Sequence, residues 1–181
     1  LNTAYLGSLS EREINYTLEN RKKVIDFGEK SGVKYYTVHI SQDGFLFTEK
    51  NFVSVKNILR KTIEYFIQKR TNAYILIENL EYPKYPSTPQ ELFWWFNKVK
   101  EYAGNSGLKI GVVIDVAHLW KTRGDIMKNM REGKNLPEWI MEEKDIISQP
   151  YKDLLNYTLK TKLGNIPVIT FHLGGSYGYE T

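Results

Sequence analysis

Cysteine is absent from the 181 residues, which excludes disulfides, thiolate metal sites and cysteine nucleophiles. No apolar run approaches the roughly 18 residues of a membrane span. The opening LNTAYLGSLSERE lacks the basic-then-apolar layout of a secretory signal, so a cytoplasmic location is the expectation. That opening also lacks an initiator Met, and residues upstream of it are expected. No serine stands on a recognisable nucleophile elbow. Gly174-Gly175-x-x-Gly178 has no following helix and does not read as a phosphate loop. Repeats, low-complexity tracts and linkers are missing as well, so residues 1–181 read as a single domain, long enough for a real core. Histidine is scarce, with three residues in the chain.

What is present describes an ordinary globular composition, 41% hydrophobic and 25% charged. A net charge of +4 and a pI near 9.0 are mildly favourable to a polyanionic partner, although many proteins without one are equally basic. Helix-like and strand-like periodicities alternate along the chain. Ser10 and Glu13 form a capping box that opens a helix with Ile14, Leu18 and Ile25 on one face. Gly32 follows it, and Tyr35 to Ile40 reads as a short strand. A second helix over 51–70 carries Val55, Ile58, Leu59, Ile63 and Phe66, and Ala73 to Ile77 is a buried strand. Thr88-Pro89-Gln90-Glu91 starts a third helix, with Leu92, Trp95, Phe96, Val99, Tyr102 and Ala103 inward. Ile110 to Ile114 is an apolar strand. A basic insert, a helix over 151–161 and the strand Val168 to Phe171 follow.

Continuous apolar strands alternating with helices imply a parallel α/β sheet covered on both faces. A full (β/α)8 TIM barrel typically needs about 250 residues, so four visible strands suit a segment of such a barrel better than a small open sheet.

Each of the four strands ends in a metal-ligand type: His39, Glu78, Asp115 with His118 three residues on, and His172. All three histidines belong to that set. Strand C-termini of a parallel α/β protein converge on one face, where these side chains can meet. Asp offers a hard oxygen and His a borderline nitrogen, a mixture suited to zinc or manganese. Singly, each has an ordinary explanation: Asp115 caps the next helix, Glu78 is a solvated strand end, His39 and His172 are hydrogen-bonded rim residues. As a constellation they point to a metal centre. Asn79 is placed to orient Glu78 or to contact substrate.

The segments VHIS, ILIEN, GVVIDVAH and VITFHLGG resemble the third to sixth strand ends of the endonuclease IV group, AP endonucleases within the xylose-isomerase-like barrels. The resemblance covers most of the chain. It implies a three-zinc cluster, with His39 on one zinc, Glu78 bridging two, Asp115 and His172 on the second and His118 on the third. Further ligands are implied on strands not represented here. It implies hydrolysis of phosphodiesters in abasic or damaged DNA, with Glu78 central to the chemistry. Sugar isomerases and epimerases of the same superfamily share the glutamate, the Asp-x-x-His and the later His around one Mn2+ or Mg2+, acting on a small sugar. His39 tilts the resemblance toward the nuclease. A barrel that keeps the fold without catalysis is a third alternative. Two departures bear on substrate contacts: the family's His-Pro-Gly is His39-Ile40-Ser41 here, and its Asn-Asp after the sixth strand is Gly174-Gly175. The insert 121–139, with Lys121, Arg123, Lys128, Arg131 and Lys134, offers phosphate contacts or is a solvated surface loop. Of Trp94 and Trp95, one ring belongs to the helix core, so base stacking is not expected; Tyr5, Tyr177 and Tyr179 sit in terminal stretches.

Overall fold

Local capping chemistry sets where three of the described helices begin. The computed structural model describes residues 10–40, 49–135 and 151–173. Ser41, Tyr5, Tyr177, Tyr179, the Gly174-Gly175 departure and the 136–139 end of the insert lie outside them. Helix α1 spans Glu11–Lys30, and its capping box is complete: the Ser10 amide donates to Glu13 Oε2 at 2.7 Å, and the Glu13 amide donates to Ser10 Oγ at 3.3 Å. Strand β1 is Tyr35–Val38, α2 is Glu49–Lys69 and β2 is Tyr74–Glu78. Helix α3, Pro89–Ala103, carries a second capping box between Thr88 and Glu91. Strand β3 is Lys109–Asp115, and α4 is Val116–Arg131. Helix α5, Tyr151–Tyr157, continues as a π-helical stretch, Thr158–Leu163, before β4 at Val168–His172. No helix among the described residues is long and apolar enough to cross a membrane.

The four strands form one parallel sheet in the order β1-β2-β3-β4. Right-handed crossovers that always step in one direction place the connecting helices on one face of a sheet. The core follows that rule. Tyr36, Val38, Ile75, Ile77, Val112 and Ile114 join Leu18, Ile25, Ile63, Phe66, Trp95 and Val99 of the helices in one cluster. Each of the aliphatic members contributes on the order of 1.5–3 kcal/mol by leaving water. Among the described residues, therefore, the helices lie on one face of the sheet. Leu76 and Val113 produced the double-sided pattern: they are buried, at 1% and 0% exposure, yet stand outside that cluster. Their alternation with Ile75, Ile77, Val112 and Ile114 puts them on the opposite face, which none of the described helices covers.

The insert is also corrected. Its first part is helix α4 rather than a loop, because Val116, Leu119, Thr122 and Ile126 recur at helical spacing and are buried.

One irregularity matters for the site. Val112 pairs with Val168, but Val113 pairs with Thr170, so Ile169 is an extra residue in β4. It packs where Gly111 has no side chain: a Cβ there would lie 2.5 Å from Ile169 Cγ1 and 3.0 Å from the Pro167 oxygen. The bulge shifts the last residues of β4 by one, so that His172 lies opposite Asp115. Unbulged pairing would bring Phe171 there and turn His172 to the other face.

Candidate metal centre

Alternation sends Thr37 and His39, Leu76 and Glu78, Val113 and Asp115, and Thr170 and His172 to the face that none of the described helices covers. The last member of each pair stands at or just past the C-terminal end of its strand. Glu78 is the hub. It is 3% exposed and presents one oxygen to each side: Oε2 lies 2.6 Å from His39 Nε2, and Oε1 lies 2.7 Å from His172 Nδ1. Burial raises the affinity of this carboxyl for its proton, but the hydrogen bonds and charges of His39 and His172 outweigh burial and hold it below the usual 4.5.

Asp115 closes the group. As N-cap of α4 it accepts the His118 amide on Oδ1 at 2.9 Å, the ordinary role allowed for it, while Oδ2 stands 3.9 Å from His172 Nδ1. Ligand atoms of Glu78, Asp115 and His172 all lie within 4.8 Å of one another. Two carboxylate oxygens and an imidazole nitrogen converging from three strand ends form a donor set that could hold a metal ion. His39 adjoins this group through Glu78.

His118 stands beside it, turned elsewhere. Its Nδ1 lies 2.9 Å from the Asn79 carbonyl and 3.6 Å from Asp115 Oδ2; its Nε2 lies 3.0 Å from Glu81 Oε2. A carbonyl oxygen only accepts, so Nδ1 carries a proton in this arrangement. Glu81 was not among the residues singled out from the sequence. It follows Glu78 by three residues in the β2–α3 connection, where no periodicity marks it. Besides His118 it gathers Lys84 Nζ at 2.6 Å and Lys121 Nζ at 3.6 Å. Burial raises its proton affinity, and the Lys84 hydrogen bond leads the contributions that bring it below the usual range.

Asn79 has a role different from substrate contact. It is fully buried, and its amide clamps the backbone of Asp115 from both directions: Nδ2 donates to the Asp115 carbonyl at 2.9 Å, and Oδ1 accepts the Asp115 amide at 2.8 Å. The side chain extends the β2–β3 ladder by one rung beyond its last main-chain pair. Lys121 reaches Glu81, Arg123 is half-buried along α4, and Lys128 and Arg131 are exposed. Lys134 pairs with Glu132 at 2.6 Å. Trp95 is in the core, and Trp94 stands edge-on to it with 4.8 Å between ring centroids.

No protein-family model matches the chain, and no curated protein matches it.

Proposed function

We propose that the chain is a metal-dependent phosphodiester hydrolase resembling endonuclease IV, acting on abasic or damaged DNA, with its β/α units forming part of a (β/α)8 barrel. The observation that carries this reading is the Glu78 carboxylate set between His39 and His172, with Asp115 alongside, at the C-terminal strand ends. Active sites of β/α barrels lie at that end. The barrel is supported by the one-directional strand order and by the buried inner residues Leu76 and Val113.

Glu78, Asp115 and His172 would hold the first ion, and His39 would use the other oxygen of Glu78 to extend the site to a second. Zinc suits this oxygen and nitrogen set. Bound divalent ions supply Lewis-acid stabilisation of charge developing on phosphate and leaving oxygens. Asn79 fixes Asp115, and Glu81 steadies His118 at the rim. Lys121 and Arg123, the cations of α4 nearest this end, would be the phosphate contacts of this reading, Lys121 from beside Glu81.

One observation favours a second reading, a sugar isomerase or epimerase using one Mn2+ or Mg2+. The three donors that lie within 4.8 Å of one another suffice for a single ion, and His118 is engaged by Asn79 and Glu81. Incision of a duplex bearing one abasic site, with and without EDTA and with Glu78→Ala, separates the two. The hydrolase reading expects EDTA-sensitive incision that Glu78→Ala abolishes. Protein that holds one divalent ion per chain, leaves the duplex intact and turns over a ketose would replace it with the isomerase.

A further inference from the structure

Arg21 is a buried cation in an unusual position. It sits on the core-facing side of α1 between Leu18 and Ile25 and is 3% exposed. None of the described carboxylates pairs with it, and burial alone lowers its pKa to about 10, so it stays charged at neutral pH. A buried charge without a counter-charge is expensive and invites the question of what it holds. Its Nη1 donates to Thr62 Oγ1 at 2.9 Å, and Thr62 in turn donates to the Ile58 carbonyl at 2.7 Å. The other arm, Nη2, donates to the main-chain carbonyl of His39 at 3.4 Å.

At His39 this grip bears directly on the site. The β1–β2 register ends at Val38 and Ile77, so His39 stands one residue past the last ladder pair. The neighbouring strand has solved the same problem differently, with the Asn79 amide bracketing Asp115. We propose that Arg21 is the positioning residue of His39, gripping its carbonyl from the helix face so that the imidazole on the opposite face stays against Glu78. Arginine suits this task because its planar fork donates to two acceptors on different elements at once, anchored at one end by Thr62 of α2. Lysine keeps the charge and lacks the fork. The significance for catalysis rests on the metal-centre reading; the placement of His39 does not.

With three histidines in the chain, each imidazole can be followed by long-range 1H–15N correlation spectra of the metal-free protein. In Arg21→Lys the His39 ring signals are expected to shift or broaden at least threefold more than those of His118. Thr62→Val, which frees the anchored arm, should move the same signals less, and it serves should Arg21→Lys fail to fold. Titration with Co2+ then reads the consequence. Arg21→Lys should weaken binding about tenfold, as loss of a group orienting a metal ligand does, with a changed visible spectrum. Unchanged His39 signals in both variants would overturn the proposal. A parent protein that binds no Co2+ would remove the metal reading, while the His39 signals would still decide the role of Arg21.

Discussion

Gly111→Ala is a one-carbon change whose effect the geometry fixes closely. The new Cβ would lie 2.5 Å from Ile169 Cγ1 and 3.0 Å from the Pro167 oxygen, both inside ordinary contact. The Ile169 side chain can turn aside, but the Pro167 carbonyl accepts the Val112 amide at 3.0 Å and is tied to the β3–β4 ladder. Strand β4 must therefore move or its bulge relax, at a cost of about 1–3 kcal/mol for overpacking. Ile169→Ala alone loses part of a half-buried side chain, roughly 1 kcal/mol. In the double variant the methyl added on β3 occupies space that Ile169 vacates, so the two changes should be less damaging together than their sum by about 1 kcal/mol. Urea denaturation of the four proteins measures this coupling, and zinc affinity reports whether His172 is still delivered opposite Asp115. Additivity within about 0.3 kcal/mol, with zinc affinity unchanged in Gly111→Ala, would refute the role assigned to the bulge.

Asn79→Ala strips both partners from the buried Asp115 peptide groups and should cost about 2–4 kcal/mol, one to two unsatisfied polar groups' worth. A shift of the urea midpoint measures it, and Asn79→Asp should recover only the contact that needs an acceptor. Gly28→Ala brings a Cβ into collision with the Tyr36 hydroxyl, which donates to the Ile25 carbonyl at 3.1 Å, and displaces it. Destabilisation of about 1–3 kcal/mol, read as a lower Tm, is expected. In the metal-free protein, the depressed Glu78 carboxyl contributes stability that is fully present above 4.5, its ordinary value, and is lost as pH falls through its lower folded value. Glu78→Gln should flatten that acid limb in urea midpoints measured against pH.

Much of the site could be read from the sequence because strand ends are local features. His39, Glu78, Asp115 and His172 each close a run of β-rich residues, and parallel pairing then brings them to one face. The capping boxes at Ser10 and Thr88 were legible for the same reason, since the residues that define them lie within a single turn of chain. What depended on register was hidden. The Asn79 clamp exists only because β2 and β3 align Glu78 with Val113, and the bulge at Ile169 has no marker beyond a glycine on the neighbouring strand. Leu76 and Val113 lie on a face that none of the described helices covers, and in one dimension their burial looks like burial under a second helical layer. Helix α4 was hidden by its own surface: lysines, arginines and Gly124 surround an inward face of only four buried residues. Arg21 was missed because a polar residue between Leu18 and Ile25 reads as a helix flank, and only tertiary packing closes over it.

The central claim, that Glu78 is the hub of a metal centre, is tested most directly by zinc binding at equilibrium to the protein and to Glu78→Gln, followed by competition with a chromophoric chelator. The account predicts tight zinc in the parent, with bound zinc in Glu78→Gln lost or weakened by more than the roughly tenfold to hundredfold that loss of a ligand's outer partner costs. Zinc held equally by both proteins, or by neither, would contradict it.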